Sequence, residues 1–265
     1  MTAEEALAWL AAAPSETAIF TDFDGTVSAI VPAARDARPV PGSVSALYAL
    51  ASIFSVVAVV SGRPVAFLVA QLGLHGPGRL HAYGLHGVEH TTGDGVDLAP
   101  GAEQWRPAVA AVTSRRAELE AAGVSVEDKE YGVTLHWRQA ADPVGAEAEA
   151  LSVVGSSLSS GLLQRPGKKS VELVLPVGVD KGTVVADWIA RGGLSRLAYL
   201  GDDLSDVLAF DAIDAASASG VTEGLKLAVS SDEAPKELLD KADVVLGQPA
   251  DAVSLLVRLA ARVGA

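Results

Sequence analysis

Short apolar runs rich in β-branched residues alternate along the chain with helical patterns, and this alternation constrains the fold more than any other feature. It is typical of a parallel sheet whose two faces are covered by helices. The predicted strands are residues 17–23, 54–60, 197–200, 225–229 and 243–246, and the predicted helices are residues 6–13, 43–51, 181–190, 206–216 and 250–263. We therefore predict an α/β fold built on a parallel sheet.

The middle of the chain has a different pattern, in which long helical stretches alternate with short paired strands. The helices are predicted at 102–122 and 141–158, and the strands at 125–129, 133–137, 162–165 and 170–175. The sequence TTGDGV at 91–96 predicts a hairpin just before this block. We predict a small α+β domain at 101–177, inserted into an α/β domain that is formed by residues 1–100 and 178–265.

Charge and composition exclude several classes of partner. The formal net charge of −13 and the scatter of the 20 basic residues argue against nucleic acid, whose phosphates need clustered Lys and Arg. No apolar run is long enough to span a bilayer, and the N-terminal segment lacks the basic residues of a secretory signal. We expect a cytoplasmic monomer that binds a small molecule and neither nucleic acid nor membrane. The chain has no cysteine, so disulfides and thiolate chemistry are absent.

Two aspartate-rich motifs follow predicted strands. Asp22 and Asp24 lie in DFDGT at the end of the first strand, and Asp202, Asp203 and Asp206 lie in GDDLSD after a later one. Open α/β sheets place ligand sites at the carboxyl ends of their strands, so we expect the five carboxylates to converge. Such a cluster requires a cation or shifted protonation. Oxygen ligands without His or Cys favour a hard ion, and we expect Mg²⁺.

Two further segments supply groups that attract phosphate. Lys181 begins a predicted helix, and Ser61-Gly62-Arg63 offers a hydroxyl and N–H groups at the start of another. Each signal alone has a plainer explanation. DFDGT is also compatible with an Asx turn or a calcium loop, GDD with a turn, Ser61 with a helix cap and Lys181 with a solvated lysine. Their order, each at the end of a strand or the start of a helix, favours one joint site.

The four motifs together resemble those of the haloacid dehalogenase superfamily of phosphatases, in order and over the whole chain. The resemblance implies a Rossmann-like core with a C2-type cap inserted between the second and third motifs. It makes Asp22 the nucleophile and Asp24 the general acid and then base. Mg²⁺ would be bound by Asp22, the backbone carbonyl of Asp24, and Asp202. The remaining implied roles are phosphoryl binding by Lys181 and Ser61 beside Thr26, Gly62 and Arg63, and support of metal-bound water or of Lys181 by Asp203 and Asp206.

A finer resemblance is to the trehalose-6-phosphate phosphatases. It rests on VVSGRP, YGLHGVE, HWR, KSVELVLPVGVDKG and GDDLSDVLAF. It implies that the cap binds the sugar through residues on or beside its strands, namely His136, Arg138, Lys169 and Glu172. The same alternation of polar residues is also compatible with a solvated sheet face. Val207 departs from the family pattern, which commonly has Glu there, and His86 and Glu89 are compatible with either a cleft or a turn.

Three rival functions remain open from the residues. The chain is also compatible with a phosphatase for sucrose phosphate, mannosyl- or glucosyl-phosphoglycerate or a broad range of sugar phosphates. A non-catalytic sugar-phosphate binding protein would have no need of the nucleophile. A phosphotransferase or mutase would pass the phosphoryl group to a second sugar. The predicted function is Mg²⁺-dependent hydrolysis of trehalose 6-phosphate through an aspartyl-phosphate.

Overall fold

The protein is described by a computed structural model that covers residues 1–31, 34–74, 78–93, 95–158, 160–167, 169–232 and 234–264. The chain divides into two compact units. Unit 1 comprises Met1–Asp97 and Val179–Ala265, and unit 2 comprises Leu98–Gly178. None of the helices formed by the described residues is long and apolar enough to cross a membrane.

A mostly parallel sheet forms the centre of unit 1. Its strands are β1 Thr17–Thr21, β2 Val56–Val60, β3 Leu80–Gly84, β4 Glu89–Thr91, β5 Val96–Leu98, β10 Arg196–Gly201, β11 Glu223–Val229 and β12 Val244–Leu246. Within the described residues the strand order is β12-β11-β10-β1-β2-β3-β4-β5. The pairs from β12 to β3 are parallel, and β4 runs antiparallel to β3. The predicted α/β class is confirmed.

Helices cover both faces of this sheet. They are α1 Ala3–Ala11, α2 Ser43–Ala51, α3 Val65–Leu72, α7 Lys181–Ala190, α8 Leu204–Ala218, α9 Lys236–Lys241 and α10 Pro249–Val263. Successive residues of a strand point to opposite faces. Ile19 and Leu200 accordingly pack in a core with α1, α2, α3 and α10, while Phe20 and Tyr199 pack in a second core with α7, α8 and α9. Burial on both faces explains why every residue of β1 and β2 is buried and why β2 is continuously apolar.

Unit 2 is an antiparallel sheet with helices packed against it. Its strands are β6 Ser125–Asp128, β7 Gly132–His136, β8 Leu163–Gly167 and β9 Ser170–Val174, in the order β6-β7-β9-β8, and its helices are α4 Arg106–Thr113, α5 Arg116–Ala121 and α6 Pro143–Leu158. Val133, Leu135, Val171 and Leu173 are buried, and polar residues alternate with them, of which Thr134 is buried as well. This is the predicted α+β arrangement. The assignment of the two units to catalysis and substrate selection stays a prediction.

The single helix predicted at 102–122 is wrong. The chain there forms α4 and α5, which are separated at Ser114 and Arg115. The Thr113 and Ser114 hydroxyls donate to the carbonyls of Ala110 and Ala111, at 3.3 and 2.8 Å. Such local hydrogen bonds compete with the regular helical ladder, and Arg115 leaves the helical conformation.

The hairpin predicted at 91–96 lies between β4 and β5, which are neighbours in the sheet. The Thr92 N–H donates to the carbonyl of Gly95 at 2.9 Å, and Asp94 is outside the described residues. Two elements were not predicted from the sequence. They are β3, whose run contains His81 and Gly84, and the six-residue helix α9.

Candidate active site

Asp22 follows β1 directly and lies at the carboxyl edge of the parallel sheet, where strands of this class place their ligands. Its N–H donates to the carbonyl of Leu200 on β10 at 2.8 Å, so the two strand ends are joined at this point. The chain then turns at Gly25, whose φ is +75°. A Cβ atom at Gly25 would lie 1.9 Å from Oδ2 of Asp202, so only glycine fits under that carboxylate.

Three buried carboxylates meet at this edge. One oxygen from each of Asp22, Asp202 and Asp206 lies within 4.8 Å of the others. Burial raises the pKa of Asp22 to about 7, and Asp206 and Asp24 add to the rise while Lys181 opposes it. Burial, with Asp22 and Asp206 beside it, also raises the pKa of Asp202 well above its ordinary value. Both shifts show carboxylates whose charge the protein does not fully balance.

Asp206 differs from the other two because its hydrogen-bonding capacity is filled. Its Oδ1 accepts from Lys181 Nζ and from the Tyr199 hydroxyl, both at 2.7 Å. Its Oδ2 accepts from the N–H groups of Asp202 and Asp203, at 3.1 and 3.0 Å. Two donors on each oxygen occupy the four lone-pair sites of a carboxylate. Although Asp206 is close to the other two, we therefore regard it as a support for Lys181 and not as a metal ligand.

Lys181 lies between two of the carboxylates and is almost completely buried. Its Nζ is 3.0 Å from Asp22 Oδ1 and 2.7 Å from Asp206 Oδ1. Burial alone would lower the pKa of this ammonium, but Asp206 and Asp22 outweigh burial and raise it above its ordinary value. Lys181 is thus a fixed positive charge that touches the predicted nucleophile.

Asp24 does not join the buried cluster. Its two oxygens accept from Nε and Nη2 of Arg63, at 2.6 and 2.9 Å. Asp203 is exposed at the start of α8. Of the five carboxylates that we expected to converge, the structure brings three together. The other two lie at the same loops: Asp24 is paired with Arg63, and Asp203 is exposed and takes part in the capping box of α8.

Ser61 and Thr26 are both buried near the end of β1 and β2. The Ser61 N–H donates to the carbonyl of Tyr83, and its Oγ accepts from the N–H of Arg63 at 3.2 Å. Thr26 Oγ1 lies 3.4 Å from Asp202 Oδ1. Gly62 is packed against a histidine ring, since a Cβ atom there would lie 2.9 Å from His86 Nε2.

Unit 2 holds the predicted sugar-binding residues. Glu172 Oε1 is 2.6 Å from Lys129 Nζ, in an ion pair that is largely buried. His136 Nε2 is 3.1 Å from Glu127 Oε2. Arg138 and Lys169 are exposed, and Lys169 has a φ of +51°, a left-handed conformation that is uncommon for a residue with a side chain.

Several residues of these two regions were not assigned from the sequence. Tyr199, on the strand β10 that leads to Asp202, donates to Asp206, and Lys129, directly after β6, pairs with Glu172 on β9. Glu89 accepts from the N–H of Val65 at 2.6 Å and so caps α3 from outside the helix. His86 has a φ of +61°, and its ring lies against Gly62. This contact lies in the loop that contains Ser61.

The donor set fits a hard divalent cation. Asp22 and Asp202 offer buried carboxylate oxygens with raised pKa values, and the absence of a side chain at Gly25 lets the Asp202 carboxylate lie directly against the loop that carries Asp22. Neither His nor Cys belongs to the cluster, and oxygen ligands favour such ions. The site can therefore hold a metal ion.

Comparison with known proteins identifies the family. The sequence model of the trehalose-phosphatase family matches residues 20–244. The chain belongs to the trehalose-phosphatase family. A trehalose-phosphate phosphatase of Mycolicibacterium paratuberculosis is 37% identical over 252 residues, which are 92% of this chain and 62% of that protein. The chain thus spans about 62% of the length of this curated relative.

Solved structures show the same fold. A trehalose-6-phosphate phosphatase related protein superposes with a TM-score of 0.76 at 19% identity, over 92% of this chain and 97% of the other. The C-terminal domain of trehalose-6-phosphate phosphatase from C. albicans superposes with a TM-score of 0.77 at 20% identity, over 97% and 96%. The motif-based prediction of a haloacid dehalogenase fold related to the trehalose phosphatases is confirmed.

Proposed function

We propose that this chain is a Mg²⁺-dependent phosphatase that hydrolyses a sugar phosphate through a phosphoryl group carried on Asp22. The observation that carries the proposal is the buried ion pair between Asp22 and Lys181, at 3.0 Å, at the carboxyl edge of the sheet. A nucleophilic carboxylate needs a fixed positive charge beside it to accept a dianionic phosphate. Membership of the trehalose-phosphatase family favours trehalose 6-phosphate as the substrate.

The proposed reaction has two transfers. An oxygen of Asp22 attacks phosphorus, an oxygen–phosphorus bond forms, and the bond from phosphorus to the sugar oxygen breaks. Asp24 gives its proton to the leaving sugar oxygen. Water then attacks phosphorus, its proton returns to Asp24, and the bond to Asp22 breaks. Lys181 and Ser61 bind the phosphoryl oxygens during both transfers.

The proposed Mg²⁺ ligands are the carboxylates of Asp22 and Asp202 and the backbone carbonyl of Asp24. When bound, the ion offsets the repulsion between carboxylate and phosphate and stabilises the transferring phosphoryl group. Asp206 holds Lys181 in place with its four hydrogen bonds. In this proposal Asp22 and Asp202 bind the ion, while Asp206 holds the ammonium group of Lys181.

The sugar is proposed to be bound by residues of unit 2. The supporting observation is the largely buried pair of Lys129 and Glu172, in which Glu172 lies on β9 between the buried residues Val171 and Leu173. Charged pairs of this kind bind vicinal hydroxyl groups as donors and acceptors at once. The other proposed contacts are His136, Arg138 and Lys169.

Phosphate release tests the proposal. The panel is trehalose 6-phosphate, sucrose 6-phosphate, glucose 6-phosphate and p-nitrophenyl phosphate, each with Mg²⁺ and with EDTA. We expect a strong preference for trehalose 6-phosphate and loss of all activity in EDTA or in Asp22→Asn. Asp211→Asn, which removes an exposed carboxylate paired with Lys241, is the matched control and should keep activity.

The other outcomes separate the rival functions. Metal-dependent release of phosphate at similar rates from all four compounds would support the mechanism and contradict the assignment of trehalose 6-phosphate as the substrate. Transfer of the phosphoryl group to a second sugar in place of water would identify a phosphotransferase. Inactivity toward the whole panel, with retained binding of the sugar phosphates, would identify a non-catalytic binding protein.

A further inference from the structure

The guanidinium of Arg63 forms a bidentate ion pair with the side chain of Asp24. Nε and Nη2 donate to Oδ2 and Oδ1, at 2.6 and 2.9 Å, and the Arg63 side chain is 11% exposed. Two parallel hydrogen bonds fix the plane and the rotation of a carboxylate, whereas a single bond leaves it free to turn. Nε and Nη2 of Arg63 thus hold Asp24 in one orientation.

The guanidinium is itself held from behind. It lies over the ring of Phe67, 4.8 Å from the ring centre, and Phe67 meets the ring of Phe23 edge-on at 5.6 Å. Phe23 is fully buried and separates Asp22 from Asp24 in the chain. The contacts thus form a closed path from Asp24 through Arg63, Phe67 and Phe23 back to the loop that carries both aspartates.

This arrangement leaves Asp24 able to act. A carboxylate has about four lone-pair sites, and the guanidinium uses one on each oxygen. A second site on each oxygen remains for a leaving group or a water molecule. Proton transfer demands a reacting distance near 3 Å and a defined direction, and small misplacements are costly in rate.

We propose that Arg63 is a positioning residue that sets the orientation of Asp24 for proton transfer, in place of the role beside the phosphoryl group that the sequence suggested. The inference rests on the proposed function, because Asp24 moves a proton only in that reaction. It adds that α3 and the loop after β2 contribute to the proton-transfer step through Arg63, without touching the phosphorus.

Rapid mixing of Arg63→Gln with p-nitrophenyl phosphate tests the inference. Nitrophenolate leaves without a proton, so transfer to Asp22 should stay fast, while hydrolysis of the phospho-enzyme still needs a well-oriented Asp24. We expect a nitrophenolate burst stoichiometric with enzyme, followed by a steady state about 10- to 100-fold slower than wild type. The inhibition constant of inorganic phosphate should change by less than about 3-fold, since Lys181 and Ser61 remain.

The alkyl leaving group of a sugar phosphate gives a second readout. With that substrate both transfers need Asp24, so kcat should fall at least as far and no burst should precede the steady state. Phe67→Leu removes the ring behind the guanidinium. This variant should lower the steady-state rate with both substrates, by a smaller factor than Arg63→Gln does. Arg258→Gln, which breaks an exposed ion pair with Glu4, is the matched control and should behave as wild type.

Opposite results would overturn the inference. A raised KM and a weakened inhibition by phosphate, with kcat unchanged and no burst, would assign Arg63 to the phosphoryl group. A folded Arg63→Gln protein with wild-type kinetics would assign it no role. If the wild-type protein releases no nitrophenolate, the proposed function fails by itself. Crystal structures then decide, because an Asp24 side chain that keeps its orientation in Arg63→Gln overturns the positioning role independently of activity.

Discussion

At the scale of single residues, the site gathers more negative charge than its one buried ammonium balances. Lys181 touches Asp22 and Asp206, and Asp206 is further stabilised by Tyr199 and two N–H groups. Asp22 and Asp202 receive less support, and both have raised pKa values. A buried carboxylate in this situation stabilises the folded state less when it is ionised than when it is protonated.

This imbalance predicts a pH dependence of stability in EDTA. The pKa of Asp22 is raised to about 7 in the folded protein, so between about pH 4 and pH 7 the folded state binds the proton that the unfolded state has lost. The contribution of Asp22 therefore falls as pH rises through this range. We expect Asp22→Asn to be more stable than wild type at pH 8 and nearly equal to it at pH 4, as measured by urea unfolding.

Mg²⁺ should offset the loss of stability that ionised Asp22 causes, because the ion binds the ionised carboxylates. The rise in Tm on addition of Mg²⁺ should be larger at pH 8 than at pH 5, and Asp22→Asn should lose most of it. Equal rises at both pH values, or an undiminished rise in Asp22→Asn, would contradict the assignment of Asp22 as a ligand. Asp211→Asn serves again as the control.

The sequence located Asp22, Lys181 and Asp202 at the site because strand ends and helix starts are visible in a local pattern. It did not show that Arg63 pairs with Asp24 or that Tyr199 donates to Asp206. Those contacts depend on side-chain directions that the packing of strands, loops and helices sets, and a sequence motif does not show these directions. A motif indicates that residues gather, whereas the tertiary structure decides which oxygen meets which donor.

At the scale of elements, α7 places the buried ammonium. The helix begins with Lys181, and the preceding residue, Asp180, forms a capping box with Thr183. The Asp180 side chain accepts from the N–H of Thr183, and the Thr183 hydroxyl accepts from the N–H of Asp180, both at 2.8 Å. This cap fixes the first turn of α7 and hence the direction in which Lys181 enters the site.

The cap of α7 should therefore influence activity as well as stability. Asp180→Ala should lower the free energy of unfolding by about 1 kcal/mol. It should also reduce kcat, because the backbone of Lys181 in the first turn of α7 is then no longer held in place. Thr2→Ala removes the same kind of capping box from α1, away from the site. It should cost a similar amount of stability with kcat retained. Equal kcat values for the two variants would show that the α7 cap does not position Lys181.

Element prediction succeeded where one periodicity governed the whole segment. The helices α2 and α7 have the predicted bounds, Ser43–Ala51 and Lys181–Ala190. It failed where the side chains compete with the backbone, as Thr113 and Ser114 do between α4 and α5. The helix α9 is short, and Lys236 pairs with Asp240 along it, so its only signal is a charge pattern over six residues.

At the scale of the whole molecule, the two units carry different kinds of buried charge. Unit 1 holds Lys181 between carboxylates of the parallel sheet, and unit 2 holds Lys129 against Glu172 on the antiparallel sheet. Each of these ion pairs lies within one unit. We propose a corresponding division of labour, in which unit 1 performs the chemistry and unit 2 selects the sugar.

This division predicts a change in selectivity for Glu172→Gln. The variant keeps the shape of the side chain and removes its charge, so a bound sugar loses an ionised acceptor. The ratio of kcat/KM for trehalose 6-phosphate to that for p-nitrophenyl phosphate should fall by about 10-fold or more. Glu118→Gln, at an exposed pair with Arg115 in the same unit, should leave the ratio within about 2-fold. An unchanged ratio in Glu172→Gln would remove Glu172 from the sugar site.

The position of β1 in the middle of the sheet also bears on how the protein is made. β1 pairs with β2 soon after it in the chain and with β10 much later, and Thr26 and Asp202, which follow β1 and β10, are 176 positions apart. At translation rates of about 5–20 residues per second, one edge of β1 waits on the order of ten to thirty seconds for its partner. An apolar strand with a bare edge is a template for wrong pairing. The nascent chain is thus open to aggregation until β10 pairs with β1, and slower growth or chaperone co-expression should raise the recovery of folded protein.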